Sequence, residues 1–236
     1  MSLALVKPID ENRSDAYLAQ RVAAGERTAL ESMMRRYNQR LYRVARSILR
    51  SEADAEEVVQ DAFFKAYRAI STFRGDASLS TWLVRIVVNE SNRRLRKINR
   101  LSTWLEFNSD ARDDEMTAET TTGDDRSNQP EPIVLRSEQR ALIESCIDEL
   151  PDLFRSVFVM RAIEELTVEE TAVCLSIPAA TVRSRYFRAR KQLRQRLRNG
   201  ETNDTANAFS FAGDRCDRIV AGVMARVDRL AETNKR

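Results

Sequence analysis

Histidine is absent from all 236 residues, which removes the commonest general base and metal ligand. The three cysteines, Cys146, Cys174 and Cys216, lie far apart and form no C-x-x-C pair. A disulfide framework or a zinc finger is therefore not expected, and a reducing cytoplasm is the compartment that fits. Six glycines and five prolines are few, and with charge abundant and aromatics modest they favour a helical chain over a β-rich one. None of those glycines builds a phosphate-cradling loop, and no G-x-S-x-G elbow occurs. No apolar run approaches the ~20 residues that span a bilayer. The opening MSLALVKPIDENRSD lacks the basic-then-apolar form of a signal peptide. The expectation is a soluble, non-enzymatic chain with no metal site, no cofactor and no membrane insertion. Its 39 basic and 36 acidic residues give a net charge of +3, and the distribution of those charges is the informative part.

The sharpest pattern is LTVEETAVCLSIPAATVRSRYFRARKQLRQRL, from Leu166 to Leu197. Thr167 with Glu170 is a capping box that starts a helix. Ser176-Ile177-Pro178 ends it, because the residue before a proline is pushed out of the α region. A second helix restarts at Ala179, with Val182, Tyr186, Ala189, Leu193 and Leu197 on one buried face. Its other faces carry Arg183, Arg185, Arg188, Arg190, Lys191, Arg194, Arg196 and Arg198, with no acid from Val182 to Arg198. A capped helix, a tight turn and an arginine-loaded helix form a helix-turn-helix suited to a DNA major groove.

Residues 15–101 read as one helical domain. Ala29–Leu49 carries Leu30, Met33, Met34, Tyr37, Leu41, Val44, Ala45 and Ile48 at helical spacing. Ser51 opens the next helix, whose first turns hold Glu52, Asp54, Glu56 and Glu57 against the macrodipole. Val59, Phe63, Ala66 and Ile70 make its buried stripe, while Glu57, Gln60, Asp61, Phe64 and Arg68 face another way. An exposed Phe64 among acids marks a protein-binding face, with a plain solvated face as the cheaper account. After Gly75-Asp76, a long helix starts at Ser80 or Thr81, apolar first (Trp82, Leu83, Ile86, Val87) and basic last (Arg93, Arg94, Arg96, Lys97, Arg100). Phe73 and Trp82, Asn89 and Asn92, and the arginine row have the make-up of a single-strand DNA surface. A Trp82 buried in a three-helix core is the simpler account of that one residue.

Residues 102–132 hold nine acids against only Arg112 and Arg126, and are read as a flexible acidic linker. Helical pattern resumes over 133–199, where Leu142, Ile143, Cys146, Leu150, Phe154, Val157, Phe158 and Met160 supply a small core. In the extension 200–236, Ile219, Val220, Val223, Met224, Val227 and Leu230 define an amphipathic helix, expected to cap the second lobe, with docking on a partner as the other option. The fold class is all-α: two small helical domains joined by an acidic linker, the second containing the helix-turn-helix.

Four blocks in this order, VVQDAFFKAYRA (Val58–Ala69), FRGDASLSTWLVRIVVNE (Phe73–Glu90), ELPDLFRSVFVMR (Glu149–Arg161) and IPAATVRSRYFRARK (Ile177–Lys191), resemble the bacterial extracytoplasmic-function (ECF) sigma factors. The resemblance spans about Asp15–Leu197 and implies a non-catalytic subunit that joins core RNA polymerase, selects a promoter and assists its melting. It implies that Glu57, Gln60, Asp61 and Phe64 contact the polymerase clamp helices. Phe73, Asp76, Trp82 and Asn89 would meet the single-stranded −10 element, with Arg85, Arg93 and Arg94 on nearby backbone. Arg183, Ser184, Phe187 and Arg188 match the readers of the duplex −35 element, with Thr181, Arg185 and Arg190 nearer phosphates. An anti-sigma factor is a further partner that the family allows. Glu165 and Ser176 stand where the family often has glycine, so less favourable turns are expected at those positions. The competing reading is a helix-turn-helix regulator that binds duplex DNA without being a polymerase subunit. A scaffold with merely solvated arginines would bind DNA with salt dependence alone.

Overall fold

The computed structural model describes residues 15–109, 142–196, 211 and 213–233, and all regular structure among them is helical. Most of the acidic linker, and Leu197 at the end of the recognition-helix stripe, lie outside the described residues. The first lobe contains α1 (Asp15–Ala23), α2 (Arg27–Leu49), α3 (Glu52–Ala69), a 3₁₀ turn (Ile70–Thr72) and α4 (Leu79–Ser109). The second contains α5 (142–148), α6 (Asp152–Phe158), α7 (Val168–Leu175) and α8 (Ala179–Arg196), and the chain closes with α9 (Gly213–Thr233).

Local chemistry sets these boundaries. Arg50 caps α2 in the left-handed region (φ 61°), its N–H reaching Arg46 O at 3.0 Å. Ser51 then starts α3, its hydroxyl accepting from the Asp54 amide at 3.2 Å. Ser78 does the same for Thr81 at 3.1 Å, so α4 begins a residue ahead of expectation. No glycine or proline interrupts Leu79–Ser109, and the helix runs through the first residues assigned to the linker. The Thr167–Glu170 capping box forms in full at α7.

Glu165 and Ser176, where less favourable turns are expected, both adopt the left-handed conformation, at φ 55° and φ 54°. Ser176 closes α7, while the Ile177 amide reaches back to Ala172 O at 3.1 Å. An L side chain there costs roughly 1–2 kcal/mol that glycine avoids.

Two apolar cores result. The first gathers Leu30, Met33, Leu41, Val59, Phe63, Leu83 and Val87 of α2–α4. The second joins Ile143, Ile147, Leu150 and Phe158 to Ala189 and Leu193 of α8. Between α6 and α7 the backbone widens into a π turn, Val159–Ile163. Val159 therefore enters the second core while its neighbour Met160 enters the first, together with Leu166 and Cys174. Leu142, expected in the core, is 51% exposed, while its neighbour Ile143 is the residue of that turn that enters the second core.

The lobes pack directly on each other. Arg155, fully buried, donates to Ser47 O (2.6 Å) near the end of α2, to Asp148 O (3.1 Å) and Leu150 O (3.0 Å) at the end of α5, and to the Asp152 carboxylate (2.8 Å). Burial lowers its pKa, yet a guanidinium stays cationic at neutral pH. Around it, Arg46 grips Asp148 through two bonds (3.1 and 2.7 Å), and Arg40 and Arg43 pair with the buried Glu164 (3.0 and 3.5 Å). The amphipathic tail corrects one expectation. Helix α9 caps the first lobe, not the second, and buries Ile219, Val220, Val223 and Val227 in the α1–α4 core.

Relaxing the left-handed turn should stabilise the chain. Ser176→Gly is expected to gain about 1 kcal/mol, measured by denaturant or thermal unfolding, whereas an unchanged or lower midpoint would show that the serine fits this turn without strain.

Candidate nucleic-acid and polymerase interfaces

The recognition helix presents its charge as expected. Val182, Ala189 and Leu193 are buried, which leaves Arg183, Ser184, Phe187, Arg188 and Arg190 exposed on the far side, Phe187 by 70%. Tyr186 is half-buried, with the guanidinium groups of Arg161 and Arg190 5.6 and 5.7 Å from its ring centroid. Ser184 is locally satisfied by Thr181 O at 3.0 Å, and Arg183 meets the exposed Glu169 at 3.4 Å. Arg185 and Thr181 sit half-buried at the flank. The result is a helix face of cations and one apolar ring: arginines can bond guanine edges in two places at once, and Phe187 can touch a thymine methyl.

The loop before α4 holds Phe73 against Trp82, ring centroids 5.6 Å apart, and both rings are half-buried. Both rings pack against the first core while remaining partly exposed. Asp76 is exposed in the loop, and Arg85, Asn89 and Arg93 form an exposed ladder along α4. Arg93 also pairs with the buried Glu90 at 2.7 Å, as does Lys65 of α3. Arg94 behaves differently from its neighbour. It turns onto α3, bonding Asp54 (2.9 and 2.7 Å) and Glu57 (3.2 and 2.6 Å). Between these helices lies an open groove of about 750 Å³, lined by Glu57, Asp61, Glu90, Arg93, Arg94 and Lys97 among others.

The α3 stripe departs most from expectation. Phe64 is half-buried, with the Arg226 guanidinium of α9 4.4 Å from its ring centroid. Arg226 also bonds Asp61 at 2.7 Å, and Gly222 lies so near Gln60 that a Cβ there would come within 2.6 Å of Gln60 Oε1. Glu57 remains exposed and is held by Arg94. Phe64 is thus not an exposed ring but one covered from within the chain.

Sigma-70 region 2 matches residues 33–101, and Sigma-70 region 4 matches residues 140–193. The RNA polymerase sigma-H factor of Pseudomonas aeruginosa is 33% identical over 189 residues, covering 78% of this chain and 93% of the relative. The ECF RNA polymerase sigma-E factor of Escherichia coli K12 is 34% identical over 185 residues, 78% of this chain and 95% of the relative. The chain belongs to the ECF sigma factors. Among solved structures, CnrH in complex with the cytosolic domain of CnrY aligns at a TM-score of 0.52 and 26% identity, over 79% of this sigma factor and 98% of CnrH. The Bartonella quintana sigma factor RpoE, solved with the anti-sigma factor NepR, shares the fold at a TM-score of 0.50 and 22% identity, over 68% and 91% of the two chains. Helix α9 of this sigma factor lies beyond both matched regions.

Two groups of residues that bear on these surfaces were not anticipated from sequence. Arg215, Arg218 and Arg226 of α9 pair with Glu52, Glu56 and Asp61 of α3. Their signal was the arginines flanking the apolar stripe of the tail, legible only once its partner acids were known. Glu170 is the second. Beyond closing the capping box, it accepts from the Thr81 hydroxyl of α4 at 2.8 Å, and Cys174 of the same helix donates to Thr81 O at 3.6 Å. The helix-turn-helix thereby rests on the first turn of α4. Burial drives the Cys174 thiol up to about 12, so it stays protonated. Among the described residues no group of three or more Cys, Asp or Glu stands ready to hold a metal, and no helix is long and apolar enough to cross a membrane.

Glu170 gives this contact a pH dependence of defined sign. The Thr167 amide, chiefly, and the Thr81 and Thr167 hydroxyls hold its carboxyl below the ordinary range. Its stabilisation is present above the unfolded carboxylate pKa of about 4.3 and is lost as pH falls through the folded value. Thermal melts of the protein and of Glu170→Gln should therefore differ at pH 7 and converge on acidification. A gap that is unchanged at low pH would assign the effect to packing instead of charge.

Proposed function

We propose that the residues of this sigma factor divide its work among three surfaces. Glu57, Gln60, Asp61 and Phe64 on α3 form the core-polymerase face. Phe73, Asp76, Trp82 and Asn89 receive unpaired bases of the −10 element, and Arg85 and Arg93 hold the adjoining backbone. Arg94 joins them when polymerase or DNA frees it from Asp54 and Glu57. In region 4, Arg183, Ser184, Phe187 and Arg188 read the −35 duplex, and Thr181, Arg185 and Arg190 contact phosphates.

The observation that carries this reading is the pairing, in one chain, of a capped helix-turn-helix with an exposed arginine face and an α4 ladder of Arg85, Asn89 and Arg93. A duplex-reading regulator needs the first module and has no use for the second. The work is binding and positioning instead of catalysis, and it takes place in the cytoplasm, where the polymerase is. An anti-sigma factor is the class of regulator to which such a chain answers. The acidic linker, threaded through polymerase channels that later carry RNA, would present the transcript's sign of charge.

The test is run-off transcription from a pool of promoters of the source genome, with core polymerase and with or without this protein. Transcripts that appear only with the protein are expected. On such a promoter, Arg188→Ala should lose about 1–3 kcal/mol of discrimination at one −35 base pair. Arg194→Ala should weaken binding to every sequence by a similar factor. Duplex binding without transcripts or polymerase association would return the helix-turn-helix regulator, and identical behaviour of the two variants would refute the recognition-helix assignment.

A further inference from the structure

We infer that α9 is a built-in competitor of core polymerase: a tethered helix that occupies the polymerase-facing surface of α3 in the free protein and has to leave before core can bind. The inference rests on the assignment of that surface above and extends it to regulation by the chain's own tail.

Charge and shape both match along the contact. Arg215 reaches Glu52 (2.6 Å), Arg218 grips Glu56 through both nitrogens (3.0 and 2.9 Å), and Arg226 holds Asp61 (2.7 Å). The three arginines share one face of α9, while Glu52 and Glu56 lie on one side of α3 and Asp61 on the other, so the pairs hold α9 from both flanks. Arg226 also covers the Phe64 ring, and Gly222 lies against the Gln60 amide, where a Cβ would come within 2.6 Å of Oε1. Three of the four assigned polymerase contacts, Gln60, Asp61 and Phe64, are thus covered by one helix. On α2, Arg35 bonds Asp217 (2.8 Å), Arg27 pairs with Asp228, and Asn38 donates to Cys216.

An apolar seam holds the helix in place. Ile219, Val220, Val223 and Val227 are buried in the region 2 core, and Phe211 packs against Tyr42 with centroids 5.4 Å apart. Exposed ion pairs alone contribute little, so the apolar seam supplies most of the hold and the charges set the register. Because the helix is tethered, its local concentration is on the order of millimolar, well above that of any free competitor in trans. Core affinity is then the intrinsic affinity multiplied by the fraction of chains with α9 displaced.

The test measures core-polymerase binding by the full-length protein and by the full-length triple variant Arg215→Glu, Arg218→Glu, Arg226→Glu. Opposing like charges across the contact should open α9 and tighten core binding about tenfold or more. Should that variant fail to fold, as circular dichroism would report, Val223→Asp provides the second test, since a carboxylate at this fully buried position of the apolar seam opposes docking of α9. Equal or weaker core binding by the opened variant would overturn the inference, because α9 would then be neutral or part of the polymerase contact. Failure of every form to bind core would instead refute the assignment of the α3 surface.

Discussion

Everything in the arrangement of this protein depends on one buried arginine. Arg155 has no exposed surface, and a guanidinium out of water needs its donors satisfied. It finds carbonyl oxygens near the ends of two helices from different lobes, where the helix dipoles are negative, and one carboxylate besides. Those acceptors converge only when region 4 sits on region 2 in one orientation. The pairs Arg46–Asp148 and Arg40–Glu164 belong to that orientation, as does the Thr81–Glu170 bond at the far end of the contact. The apolar residues Met160, Leu166 and Cys174 add burial, and the polar groups decide where it happens.

A closed free form follows, in which several residues of the proposed surfaces already have partners within the chain. Arg94 is held by α3, Arg93 by Glu90, Asp61 by α9, and Glu57 by Arg94. Of these, the Arg94–Glu57 pair is the most exposed, and such a pair is worth about 0–1 kcal/mol; Arg93 rests on the buried Glu90 and is held harder. Exchange is harder where apolar surface is buried with the charges, as along α9. Phe187 and Arg188 on α8, like Asp76, Arg85 and Asn89 of region 2, are exposed in the closed form.

Local rules made much of this legible in the sequence. The capping box, the Ser51 cap, the α3 core stripe and the exposed arginine face of α8 all depend on neighbours within a few residues, and those neighbours are in the string. The two left-handed turns were legible in part, because Glu165 and Ser176 fall where glycine is usual. What failed depends on pairings between distant elements. An amphipathic helix announces a buried face without naming the surface it meets, so α9 was assigned to the wrong lobe. For the same reason Phe64 was read as exposed and Leu142 as core. The end of α4 was misjudged because acidic composition suggested disorder, although nothing between Leu79 and Ser109 breaks a helix.

The central claim is that this sigma factor exchanges internal contacts for polymerase contacts. Hydrogen exchange of the full-length protein, alone and bound to core polymerase, tests it most directly. The α9 amides should be protected in the free protein and exchange much faster in the complex, while those of α3 slow down. An α9 that stays equally protected after core has bound would contradict the account.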